Sequence, residues 1–132
     1  MKAAMALVVP IVLAGAFASV DARAETVRCH VIYGGEEWTV DAVPVSTPYQ
    51  VPNRKIGRYF EFKVVFADLP SSGRFIRTYT YGISTGDPVL IHQASFRPPF
   101  DARGGDWGFT GFQYVYEPSK SSELQYWCRL LP

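Results

Sequence analysis

The chain carries two cysteines, Cys29 and Cys128, near opposite ends of its 132 residues, and each lies in a segment of alternating polarity. In 26–33, Val27, Cys29, Val31 and Tyr33 share one side. In 123–130, Leu124, Tyr126, Cys128 and Leu130 share one side, with Gln125, Trp127 and Arg129 on the other. A period of two is the signature of a half-buried strand. Two thiols facing inward from the first and last strands predict one buried disulfide that ties the ends of a single domain together. Closing a loop of about 100 residues stabilises a fold by roughly 4–5 kcal/mol in the chain-entropy treatment.

The compartment follows from the start of the chain. Lys2 is followed by an apolar run to Val20, interrupted by Pro10 and Gly15, and Ala22-Arg23-Ala24 has the small-x-small form that precedes a cleavage point. Residues 1–24 are therefore expected to be a signal peptide, and residues 25–132 one domain, periplasmic or secreted, with no membrane span once the signal is cleaved. Thirteen Lys and Arg and twelve Asp and Glu, less the two and the one in 1–24, leave that domain with zero net charge. Such a chain lacks the basic footprint of a nucleic-acid binder.

Turn residues divide the domain at fairly regular intervals. Gly34-Gly35 joins 26–33 to 37–43 as a tight hairpin, in the register that pairs Val31 with Trp38, Cys29 with Val40 and Val27 with Ala42. Residues 44–53 hold Pro44, Pro48 and Pro52 and read as a loop or short edge. Residues 57–67 form a strand with Phe60, Phe62, Val64 and Phe66 on its core side, and 74–81 form the next. The Val89-Leu90-Ile91 run opens a strand covered on both faces. Residues 109–117 form a strand with Phe112, Tyr114 and Tyr116 on one face, and pairing Tyr116 with Leu124 across the polar turn 118–122 puts Phe112 beside Cys128. These patterns predict an all-β fold: one antiparallel β-sandwich of about seven strands. An immunoglobulin-like Greek key is the favoured topology and a small closed barrel the alternative.

No catalytic constellation emerges from the residues. There is no Gly-x-Ser-x-Gly, no Cys-x-x-Cys and no His-Glu-x-x-His. The two histidines, His30 and His92, read as a surface residue and a half-buried structural one, and no metal or cofactor is expected. An enzyme is the less favoured class. Calcium held by Asp101 and Asp106 lacks the alternating acidic ligand loop such a site uses. The candidate binding segment is 97–107, with Arg97, Phe100, Asp101, Arg103, Asp106 and Trp107 among prolines and glycines. Trp and Arg are the residues that most often anchor interfaces, and a loop this long in a small domain tends to carry function.

Three Trp, eight Tyr and nine Phe are too many for one core, so some aromatics must face outward, Tyr59 and Trp127 foremost. The expectation is a non-catalytic binding module that recognises another envelope or extracellular protein through 97–107 and the adjacent sheet. The alternatives are a polysaccharide or cell-wall binder using exposed aromatics, and a structural subunit of an envelope assembly.

Overall fold

A computed structural model describes residues 25–84, 86–100 and 105–131, together with 3–4, 9–11 and 15–16 of the N-terminal segment. The expected signal peptide thus lies largely outside the described residues. The chain forms β1 (Thr26–Tyr33), β2 (Glu36–Ala42), β3 (Pro44–Val45), a 3-10 turn (Pro48–Gln50), β4 (Arg54–Ile56), β5 (Phe60–Leu69), β6 (Gly73–Gly82), β7 (Val89–Phe96), β8 (Gln113–Glu117) and β9 (Ser122–Leu131). Two sheets pack face to face as an all-β sandwich. Sheet A has the order β2-β1-β9-β8, and sheet B the order β3-β5-β6-β7, with β4 also paired to β5.

The N-terminal hairpin has the register expected of its two glycines: Val31 opposite Trp38, Cys29 opposite Val40, Val27 opposite Ala42. Gly34 and Gly35 both adopt positive φ, the conformation a two-residue hairpin turn requires. Cys29 also lies opposite Cys128 on β9, and the two are disulfide-bonded. The bond therefore joins neighbouring strands of one sheet, and the first and last strands form its centre.

Alternation on both sheets builds the core. Val27, Cys29, Val31, Leu124, Tyr126 and Cys128 come from sheet A, and Phe60, Phe62, Val64, Phe66 and Ile76 from sheet B, all buried. On β6 the inner side is the one bearing Ile76, Thr78 and Thr80. Val65, Ala67 and Phe75 form a second, smaller cluster on the outer face of sheet B, against Val45, Val51, Leu69 and Tyr79. At one end of the sandwich a set of angled aromatic contacts closes the core, with ring centroids 5.8 Å apart for Phe66–Phe100, 5.7 Å for Phe100–Phe109 and 5.4 Å for Phe96–Phe109.

Several expectations are corrected. The strand order is a hairpin, a three-stranded meander and a second hairpin, so successive strands stay within a sheet and do not interleave in the immunoglobulin-like order. Two short strands, β3 and β4, arise from 44–56, and β3 runs parallel to β5. The strand expected over 57–67 begins at Phe60, because Gly57–Tyr59 turns the chain back from β4.

The β8–β9 hairpin is out by one residue: Val115, not Tyr116, lies opposite Leu124. A one-residue slip inverts both faces, so Val115 and Glu117 are buried while Tyr114 and Tyr116 are 64% and 59% exposed. β7 is an edge strand with a bulge opposite Thr80/Tyr81, and Val89 and Leu90 are exposed instead of covered on both faces.

Candidate functional site

The inverted β8 face brings together the most conspicuous surface feature. On the outer face of sheet A, five aromatic rings follow one another across three strands and a loop. The His30 imidazole stacks on the Trp127 indole at 4.3 Å between centroids, with planes 10° apart. Trp127 meets Trp107 edge-on at 5.7 Å and 71°. Trp107 meets Phe112 at 4.8 Å and 72°, and Phe112 meets Tyr114 at 5.1 Å and 54°. Trp107 and Tyr114 are exposed, at 45% and 64%, and Tyr116 lies on the same face of β8.

Strand pairing fixes most of this ridge. His30 is directly opposite Trp127 in the β1–β9 ladder, so their rings stack as cross-strand neighbours. Trp107 arrives from the loop because the next residue, Gly108, forms a parallel bridge with Cys128, the residue after Trp127. The Phe109 amide donates to the Cys128 carbonyl at 3.1 Å, and the Cys128 amide donates to Thr110 Oγ1 at 2.9 Å. This backbone clamp sets the two indoles side by side.

Charged and polar groups border the ridge. Arg28 Nε and Nη2 each donate to Asp41 at 2.9 Å, a bidentate pair one step along β1 from His30. The hydrogen bond from Arg28 holds the Asp41 carboxyl below its ordinary range, against the opposing effect of partial burial, and Asp41 raises the Arg28 guanidinium in turn. His30 Nδ1 lies 2.6 Å from Glu37 Oε1. The Arg129 guanidinium lies 5.8 Å from the centroid of Trp127. The ridge thus has an aromatic centre and a rim of paired charges.

The residues expected to form one site are distributed over the molecule. Trp107 and Trp127 meet on the ridge. Phe100 packs inward against Phe66 and Phe109, so it seals the core. Arg97 turns to the outer face of sheet B, where Nη1 donates to the Ser72 carbonyl at 3.1 Å. Tyr59 is half-buried against the core, with Arg58 and Lys120 over its ring at 5.7 Å and 5.3 Å. Asp106 is exposed beside the ridge, and Asp101 and Arg103 lie outside the described residues. Of the segment 97–107, the described residues thus divide between the outer face of sheet B at Arg97, the core at Phe100 and the ridge at Trp107.

Sequence reasoning missed Phe112, Tyr114 and His30 as partners of the tryptophans. The signal for Tyr114 was the competing alternation Val115–Glu117, which yielded to three aromatics in a row of alternate positions. Among the described residues, no group of three or more His, Cys, Asp or Glu side chains is arranged to hold a metal ion. A scan against protein-family models finds no match for the chain, and searches of curated proteins and of solved structures find none.

Proposed function

We propose that the chain is an exported, non-catalytic recognition module that binds another protein in the periplasm or outside the cell, through the outer face of its four-stranded sheet. The observation that carries this reading is the ridge His30–Trp127–Trp107–Phe112–Tyr114, exposed at Trp107 and Tyr114, half-buried at the other three rings and bordered by the Arg28–Asp41 pair. Clustered aromatics, with arginines at their margin, are the groups that supply most of the energy at protein interfaces. A disulfide between the first and last strands is consistent with an oxidising compartment, as is the export-like pattern of residues 1–24.

Ring orientation favours a protein over a polysaccharide as the ligand. A glycan chain stacks on successive ring faces that lie in one plane. Here the planes of Trp127, Trp107 and Phe112 stand at 71° and 72° to one another, which offers edges and clefts between rings. Side chains of a partner fill such a contoured surface. The segment 97–107 takes part through Trp107, and the sheet supplies the remainder.

The test is position-specific photo-cross-linking in the cells that make the protein. A photoreactive residue at 114 is expected to give one adduct of fixed mass, lost when Trp107→Ala is added. The same probe at Asp87, an exposed loop position, is expected to give none. The proposal fails if positions 114 and 87 yield the same adducts, or if the adduct survives Trp107→Ala. Retention of the purified protein on insoluble polysaccharide with no adduct would favour the glycan reading.

A further inference from the structure

The outer face of sheet B carries a separate feature. A groove of about 660 Å³ lies between that face and the 3-10 turn at Pro48–Gln50, within the range typical of small-molecule sites. Its lining includes Lys63 of β5, Arg77 of β6 and Arg97 just beyond β7, and no carboxylate. Among the described residues, none of these three cations forms an ion pair. Residues 25–132 carry zero net charge in total, so this is a local excess of positive charge.

Aromatic rings hold these cations in place. The Arg77 and Arg97 guanidinium carbons lie 4.5 Å and 5.3 Å from the centroid of the same ring, Phe75. Lys63 Nζ stands 4.8 Å from the centroid of Tyr79, its cross-strand neighbour. Cation–π contacts fix the direction of a charge without neutralising it. Two guanidinium groups brought to one ring repel each other, and an anion bound in the groove relieves that repulsion with charge-assisted hydrogen bonds. At the lip of the groove Tyr49 is 96% exposed, an aromatic ring with nothing packed over it.

We propose that this groove binds an acidic sugar: a pyranose bearing a carboxylate or a phosphate, with the anion at Arg77, Arg97 and Lys63 and the C–H face of the ring against Tyr49. Ring faces suit sugar C–H groups, and the guanidinium forks suit carboxylate and phosphate oxygens alike. The groove is on the opposite sheet from the aromatic ridge, and the proposal stands independently of the protein-recognition reading.

Titration of the disulfide-bonded, ¹⁵N-labelled protein with glucuronate, glucose 6-phosphate, glucose and inorganic phosphate tests it by amide shifts. Glucuronate, glucose 6-phosphate or both are expected to shift the amides of Lys63, Arg77 and Arg97 saturably; which of the two binds more tightly identifies the source of the anion. Glucose is expected to bind about tenfold more weakly or not at all, and Arg77→Gln to raise the Kd of the acidic sugars about tenfold. Tyr49→Ala alters only an exposed side chain, so it keeps the test independent of folding. It is expected to weaken the acidic sugars severalfold and leave inorganic phosphate unchanged. Glucose binding as tightly as its acidic counterparts overturns the proposal, as does inorganic phosphate binding as tightly as glucose 6-phosphate. Shifts confined to the Tyr114 face, or none with any of the four, overturn it too.

Discussion

Tyr126 and Thr78 hydrogen-bond across the core: the phenol oxygen of β9 lies 2.7 Å from Oγ1 of β6, with both residues fully buried. The bond joins sheet A to sheet B within a largely apolar layer, where Tyr126 also packs against Phe62 at 5.1 Å. A buried hydroxyl without a partner costs about 1–3 kcal/mol, whereas removing both members of a pair is close to neutral. Thr78→Val and Tyr126→Phe are therefore each expected to lower stability by about 1–2 kcal/mol, and the double variant by less than the sum. Urea unfolding of the four proteins measures the coupling. Strictly additive losses would mean that the two hydroxyls do not depend on each other.

The same burial makes the protein sensitive to alkali. Removal from water raises the Tyr126 phenol above its ordinary value, and the Thr78 hydrogen bond acts in the opposite direction but less strongly. With the folded value raised, the contribution to stability is complete below the unfolded value of about 10 and is lost as pH climbs from there through the folded one. Phenolate absorbance and circular dichroism, followed together, should show sheet structure disappearing as Tyr126 ionises. Tyr126→Phe should lack that linked step. Superimposable curves for the two proteins would refute the assignment.

How much of this was legible in the sequence depended on how tightly each turn constrained its strands. Gly34-Gly35 admits essentially one hairpin geometry, so the pairing of Val31 with Trp38 could be read directly. The polar turn 118–121 admits loops of several lengths, and there the aromatic series Phe112–Tyr114–Tyr116 suggested an inner face that belongs to Val115 and Glu117. The disulfide was legible because both cysteines share a side with apolar neighbours. The Trp107–Trp127 contact was not, since it depends on a backbone approach at Gly108 that no periodicity records. The groove on sheet B was equally hidden: Lys63, Arg77 and Arg97 sit at unrelated sequence spacings and meet only through strand pairing.

Glu117 makes the β8–β9 turn sensitive to acid. Its carboxylate accepts from Ser119 Oγ at 2.7 Å to each oxygen, from the Lys120 amide at 2.8 Å and from the Ser119 amide at 3.3 Å. The Ser119 hydroxyl contributes most to holding its pKa below the ordinary range, the backbone amides and the Lys120 charge add to it, and burial opposes it. A depressed folded pKa gives stability that is present above the unfolded value of about 4.3 and lost as pH falls through the folded one. Carboxyl ¹³C shifts against pH should place Glu117 below a free glutamate, and Ser119→Ala should move it back up. An unchanged titration in Ser119→Ala would remove the hydroxyl as the cause.

Gly108 has the least tolerant backbone position at the ridge. Its φ is +63°, and a Cβ there would lie 2.0 Å from the Cys128 carbonyl oxygen. Gly108→Ala is expected to cost roughly 3 kcal/mol, from overpacking together with left-handed strain, and to move Trp107 away from Trp127. Gly105→Ala is the control: its φ is +87°, but among the described residues nothing lies within 4 Å of the added methyl. Its cost is expected to stay near 1 kcal/mol. Denaturant midpoints give the energies, and tryptophan fluorescence reports the ridge. Equal losses in the two variants would mean that the close approach to Cys128 is not what limits this position.

The Cys29–Cys128 bond links two strands that already pair from Thr26–Leu131 to Ile32–Gln125. The native ladder does not need the link to align it, so most of its effect is expected to fall on the unfolded chain, whose ends it holds together across 99 positions. Replacing both cysteines by alanine should lower stability by about 2–5 kcal/mol while leaving the native circular dichroism spectrum intact. It should also steepen the dependence of unfolding on urea, because the released chain exposes more surface. Alkylation followed by mass measurement should label no thiol before reduction and two afterwards. A loss of native sheet on reduction, with no change in urea dependence, would place the stabilisation in the folded state instead.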